Sequence, residues 1–216
     1  MKHTRSFETD LDPLVTFFQE RGAELHFQPD ATIAAQGGTS DTIYRVLRGC
    51  VRVCAYSESG ERRILQFLTA GDYIGLDDIN ECITAREAVD TVVLAAVSRS
   101  AFEAEWMRRS EFQKAVRERL ALEIDAHAML FILTAQTSAV ERVQLFLEGY
   151  ARRRKSRSYI ALPMCRRDIA DHLGLSMETV SRAFSTLKER GDISLRGANF
   201  FRSNRPVVKP GLICAA

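Results

Sequence analysis

The stretch from Cys165 to Arg190, CRRDIADHLGLSMETVSRAFSTLKER, constrains the fold more than any other part of the chain. Ile169, Ala170 and Leu173 recur at helical spacing, so Asp168 to Leu173 is expected to form a short helix with those three facing inward. Gly174 supplies a turn, and Leu175 is again apolar. Ser176 suits the N-cap of a second helix that buries Val180, Phe184 and Leu187 at spacings of four and three. A short helix, a glycine turn and a capped second helix are the grammar of a helix-turn-helix. Just downstream, Ile193, Leu195, Phe200 and Phe201 flank Gly197 and predict a small β-hairpin, the wing of a winged helix.

The polar face of the second helix carries the chemistry. Glu178, Ser181 and Arg182 sit at i, i+3 and i+4 and project together near its N-terminal end. That end of a recognition helix meets base edges in the major groove of DNA. Arg182 can donate two hydrogen bonds to guanine O6 and N7, and Glu178 can accept from cytosine N4. The plainer role for Glu178 is a favourable charge at the positive end of the helix dipole. Arg166, Arg167, Ser176, Met177 and Thr179 are expected to add phosphate or methyl contacts.

Charge distribution points the same way. Residues 1–136 hold 15 Lys/Arg against 21 Asp/Glu, a net of −6, whereas residues 137–216 hold 15 against 7, a net of +8. A basic C-terminal third suits a polyanion-binding module, or simply a solvated basic surface; the motif decides between them. The run from Arg152 to Lys155, at the end of a helix expected over Ser138 to Lys155, either follows phosphates or favours the helix C-terminus.

The first half reads as β structure after one short helix. Asp12 can cap a helix within Asp10 to Gly22, with Pro13 first and Leu14, Phe17 and Phe18 as its apolar stripe. Strands are expected at Thr42 to Leu47, Val51 to Tyr56, Arg63 to Leu68 and Thr91 to Val97. Gly38, Gly49, Gly60 and Gly71 lie eleven residues apart, the spacing of turns in an antiparallel sandwich or barrel. Ser98 caps a helix to Arg109. A longer one follows from Glu111 to about Gln136, which at ~1.5 Å per residue is close to 40 Å long. On it Leu120, Ile124, His127, Phe131 and Thr134 form a short coiled-coil seam, flanked by Met129 and Leu133. Leu122, Leu130 and Ile132 are expected to pack on the barrel. A helix apolar on two sides must bury both: a two-fold partner would supply the second burial, whereas the competing reading is a fully buried core helix of a monomer.

These features, in this order, resemble the Crp/Fnr superfamily of bacterial regulators over residues 10–203, with DIADHLGLSMETVSR as the most specific stretch. The resemblance implies an α+β fold in three parts. A cyclic-nucleotide-binding-like β-barrel (jelly-roll) occupies residues 1–109, a dimerisation helix 110–136, and a winged helix-turn-helix 137–216. Glu178, Ser181 and Arg182 are similar to the reading set of the Fnr/FixK branch. That similarity implies a homodimer on a TTGAT-N4-ATCAA-like palindrome, acting as an activator with RNA polymerase as partner. Well-known Fnr-like members carry an acidic residue at the seam position of His127, so a pH-sensitive dimer is one expectation for that histidine.

The same resemblance separates signals. Members that bind cyclic nucleotides have a Gly-Glu pair and an arginine followed by Ser/Thr-Ala. Here the pair reads Gly75-Leu76, and Cys82 or Ile83 stands where the phosphate arginine would be; Thr84-Ala85-Arg86 fits only with a register shift. Dependence on cAMP is therefore not expected. The five cysteines are Cys50, Cys54, Cys82, Cys165 and Cys214, with none in residues 1–49, which argues against an N-terminal iron–sulfur cluster. Cys50 and Cys54 share a strand face but lie roughly 13 Å apart, too far for one metal ion. Neither His26 nor His127 has a paired ligand that would suggest haem. No cofactor and no metal site are expected. Cys165, before Arg166 and Arg167, is a candidate for oxidation that would oppose DNA binding.

No catalytic constellation or Gly-rich phosphate loop is present, so an enzyme is not expected. The alternative within the regulator class is a sensor whose barrel binds an unidentified small molecule and switches the dimer helix. No apolar run is long enough to cross a bilayer, and Met1 to Asp12 lacks a secretory core, so the expected location is cytoplasmic, without membrane contact.

Overall fold

The computed structural model describes residues 12–204 apart from 79–80, 137, 155–157 and 198; for residues 126 and 129–136 it describes the helical backbone alone. The seam positions Phe131 and Thr134, their neighbours Met129, Leu130, Ile132 and Leu133, and also Lys155 and Cys214, fall outside the described side chains. Two compact units are formed, Met1–Val53 with Phe67–Ala126, and Cys54–Gln66 with His127–Ala216.

The first unit begins with α1 (Pro13–Arg21). Asp12 Oδ1 accepts from the backbone N–H of Leu14 at 2.9 Å, and proline occupies the first helical position, where a missing N–H costs nothing. The strands follow as β1 (Ala23–Phe27), β2 (Thr32–Ala34), β3 (Thr42–Arg48), β4 (Cys50–Tyr56), β5 (Arg62–Thr69), β6 (Tyr73–Ile74), β7 (Ala85–Ala88) and β8 (Val92–Ser98), with the tip of the β4–β5 hairpin, Cys54–Gln66, belonging to the second unit. They make two four-stranded sheets of order β1-β8-β3-β6 and β2-β7-β4-β5, the jelly-roll arrangement. Ile43 faces Val97 and Val46 faces Leu94 across the antiparallel β3–β8 pair. One core cluster joins Val46, Val51, Leu68, Ile74, Ala88, Val92 and Leu94.

Three of the four evenly spaced glycines, Gly49, Gly60 and Gly71, have positive φ; Gly38 does not, and its neighbour Gly37 does. Gly49 is the most constrained. Its φ is 89°, and a Cβ there would lie 2.5 Å from the Thr91 carbonyl oxygen. The close approach lets Asp90 Oδ1 accept from the Cys50 N–H at 2.7 Å.

A second core cluster lies under α1, α2 (Arg99–Arg108, capped by Ser98) and the start of α3 (Ser110–Gln136). Phe17, Phe102 and Phe112 meet edge to face with centroids 5.0–6.0 Å apart. Phe112, Val116 and Leu120 repeat every four residues and carry the α3 contact with this cluster. The expectation that Leu122 packs on the barrel fails, since it is 64% exposed. Two residues beyond Leu120 it is turned by about 200°, onto the opposite side of the helix.

In the second unit α4 (Ala139–Arg153) opens with a capping box between Ser138 and Glu141 and buries Val143, Leu147 and Tyr150. Next come β9 (Ile160–Ala161), α5 (Arg166–Leu173), α6 (Met177–Glu189), β10 (Ile193–Arg196) and β11 (Phe200–Ser203). The expected wing is the β10–β11 hairpin, and β9 adds a third strand to it. Helix α5 starts two residues earlier than expected because Cys165 caps it, its Sγ lying 3.5 Å from the Asp168 N–H. Among the described residues no helix is long and apolar enough to cross a membrane.

Candidate nucleic-acid interface

Between α5 and α6 the chain turns at Gly174, which is left-handed at φ 64° and donates its N–H to the Ala170 carbonyl. Leu175 donates to the same carbonyl at 3.0 Å, so the turn closes on the last helical residues. Ser176 Oγ accepts from the Thr179 N–H at 3.1 Å and caps α6. Val180, Ala183, Phe184 and Leu187 are buried on one side of α6; Ile169, Ala170 and Leu173 are buried on α5. The inward positions match those expected from the sequence, with Ala183 added.

Burial of that face leaves the other in solvent. Glu178, Ser181 and Arg182 are all exposed, as is Met177, and Thr179 is half-buried. Ser181 Oγ donates to the Met177 carbonyl at 2.9 Å, and Arg182 Nη2 donates to Thr179 Oγ1 at 3.4 Å. The Glu178 carboxyl is held below the ordinary carboxylate range, first by its own backbone N–H and then by the Ser176 hydroxyl. It therefore presents an acceptor, not a donor, at the positive end of the helix dipole.

The flanking arginines differ. Arg167 is exposed at the start of α5, whereas Arg166 is half-buried with its guanidinium carbon 3.5 Å from the Phe184 ring centroid. Arg166 therefore stacks on a core aromatic of α6 and ties the two helices together. On the wing, Arg196 and Arg202 lie 5.6 and 5.4 Å from the Tyr159 ring, and Arg202 also donates to Asn204. These wing arginines are not among the sequence candidates; two arginines flanking the wing glycine are the signal that could have found them. Cys165 is exposed, whereas Cys50, Cys54 and Cys82 are buried.

Of the seam positions with described side chains, Leu120 is half-buried against the barrel core, while Ile124 (67%) and His127 are exposed. In the barrel, Ile83 is 75% exposed. Arg86, three residues on, is buried with Asp78 at 2.9 Å and the Thr84 carbonyl at 2.8 Å. No local pattern points to this ion pair, because its partners come from different segments of the fold.

Residues 24–109 match the cyclic nucleotide-binding domain family, and residues 141–205 match the Crp-like helix-turn-helix domain family. Nitrogen fixation regulation protein FixK of Rhizobium meliloti (strain 1021) is 33% identical over 183 residues, covering 83% of this chain and 82% of that protein. The protein of the same description from Azorhizobium caulinodans is 32% identical, covering 81% and 72%. The solved structure of FixK2 from Bradyrhizobium japonicum superposes with a TM-score of 0.81 at 31% identity, covering 85% of this chain and 93% of that one.

Proposed function

Because this chain belongs to the Crp/Fnr family as a FixK-like transcription regulator with a DNA-binding helix-turn-helix, we propose that it binds a TTGAT-N4-ATCAA-like palindrome as a homodimer and activates transcription from it. One observation carries the reading: Glu178, Ser181 and Arg182 stand on the exposed face of α6, over a fully buried opposite face. Arg182 donates to guanine, Glu178 accepts from cytosine, and Ser181 contacts the adjoining base. Arg167 and the wing residues Arg196 and Arg202 supply phosphate contacts, with Ser176, Met177 and Thr179 at the rim. Arg166 acts from its stack on Phe184.

Dimerisation runs along α3 through Ile124 and His127, continuing to Phe131 and Thr134, with Leu120 at the barrel end. The exposed apolar side chain of Ile124 supports a partner helix there. Control does not pass through cAMP. Ile83 is no phosphate ligand, and the Arg86 guanidinium is already held by Asp78 and the Thr84 carbonyl. Cys165, exposed at the α5 cap, is the candidate point of redox control. RNA polymerase is the working partner, the cytoplasm the working compartment, and no catalytic step is involved.

The test is fluorescence anisotropy of the reduced protein on the palindrome and on a duplex with both guanines changed, each with and without cAMP. Tight binding to the palindrome alone, indifferent to cAMP, supports the proposal. Weak binding that ignores sequence, or binding that requires cAMP, overturns it.

A further inference from the structure

The tip of the β4–β5 hairpin belongs to the same compact unit as α5 and α6, and it meets α5 with charged groups. Arg62 Nη2 lies 2.7 Å from Asp168 Oδ1 and 2.7 Å from Asp171 Oδ2, and its Nε lies 3.3 Å from the same Asp171 oxygen. The Asp168 side chain is 6% exposed, so its carboxylate is out of water and needs a cationic partner. Two residues further along the strand, the Ile64 backbone carbonyl lies 3.1 Å from His172 Nδ1. A carbonyl can only accept, so Nδ1 carries the proton and donates. Positions 62 and 64 share one side of a strand; positions 168, 171 and 172 share one side of a helix.

None of these groups belongs to the exposed α6 face, but the α5 helix they hold packs against α6. Another side of α5 is buried through Ile169, Ala170 and Leu173, and Arg166 stacks on Phe184 of α6. A shift of α5 is therefore passed on to α6. Left without Arg62, the two carboxylates would also repel any phosphate backbone approaching Arg167. The planar fork of arginine is suited to gathering two carboxylates at once, which a lysine ammonium does less well.

We infer that Arg62 is a positioning residue for DNA recognition: from the β4–β5 hairpin it clamps Asp168 and Asp171, fixes α5, and thereby sets the aim of α6. This deepens the proposed reading role of α6 and rests on it, while the clamp itself can be tested without DNA.

The experiment compares the full-length protein with Arg62→Ala, with Arg62→Lys, with the double variant Asp168→Asn/Asp171→Asn, and with that double variant carrying Arg62→Ala as well. Hydrogen exchange of the α5 amides is followed first. Faster exchange confined to α5 in Arg62→Ala, partly restored in Arg62→Lys, supports the clamp; unchanged α5 exchange overturns it. Anisotropy is followed second. The clamp predicts about a tenfold loss on the palindrome, a smaller loss on the guanine-altered duplex, and little further effect of Arg62→Ala once both aspartates are asparagine. Equal losses on both duplexes with a shallower salt dependence would mean that Arg62 touches phosphate itself, and would overturn the inference. If α5 exchange depends on Arg62 but the wild type ignores sequence, the clamp stands and the reading of α6 is what fails.

Discussion

Acidification should destabilise this protein through one histidine, and the size of the effect follows from its surroundings. His172 is packed against Phe146 at 5.5 Å between ring centroids, and its Nδ1–H faces the Ile64 carbonyl. Burial is the main force lowering its pKa to about 4; Arg153 and His127 push the same way, and the Ile64 carbonyl opposes them. An unfolded chain takes up this proton near pH 6.5. Between those values the unfolded state binds more protons at this site than the folded state, so stability falls as pH falls. The contribution is fully present above pH 6.5 and is lost progressively down to about pH 4. Integration gives a loss of about 2 kcal/mol between pH 7 and pH 5, and roughly 3 kcal/mol once both forms are protonated. The assay is urea unfolding at pH 7 and pH 5 for the wild type and His172→Asn, whose amide can still donate to Ile64 but does not titrate. Other titrating groups are common to both proteins and cancel. The wild type should lose about 2 kcal/mol more than the variant; an identical pH dependence would refute the neutral, half-buried histidine.

Ile124→Glu should convert a dimer into a monomer with unchanged helix content, seen by analytical ultracentrifugation and circular dichroism; a variant that remains dimeric would remove Ile124 from the interface. Gly174→Ala meets open space, so only the left-handed backbone resists it, and it should cost about 1 kcal/mol of stability by denaturant unfolding. Phe112→Ala removes the fully buried centre of an aromatic cluster and should cost about 3–5 kcal/mol in the same assay, with loss of barrel folding if the reserve is smaller.

Where the chain's own periodicity carries the information, the fold is legible in the sequence. The caps Asp12, Ser98 and Ser176, the strands β3, β4, β5 and β8, and the inward faces of α5 and α6 follow from local pattern. The short strands β2, β6, β7 and β9 carry too few residues for alternation to stand out. The expectation for Leu122 puts it on the wrong side of α3 because an apolar residue alone does not fix helical phase; Phe112 and Val116, upstream, set it. The Arg86–Asp78 pair and the Arg62 clamp are not legible because each joins separate segments of the fold. The spacing of Asp168 and Asp171 on one helix face is the visible half of that second contact. On α6 all three candidates are legible, since burying Val180, Phe184 and Leu187 leaves Glu178, Ser181 and Arg182 outside.

The most direct measurement of the central claim is the affinity of Arg182→Ala for the palindrome and for the duplex with both guanines changed, beside the wild type on both. If Arg182 reads guanine, the variant loses affinity for the palindrome by about 1–3 kcal/mol per contacted base and binds the two duplexes nearly alike. If the variant still prefers the palindrome as strongly as the wild type does, Arg182 does not read the site and the account is contradicted.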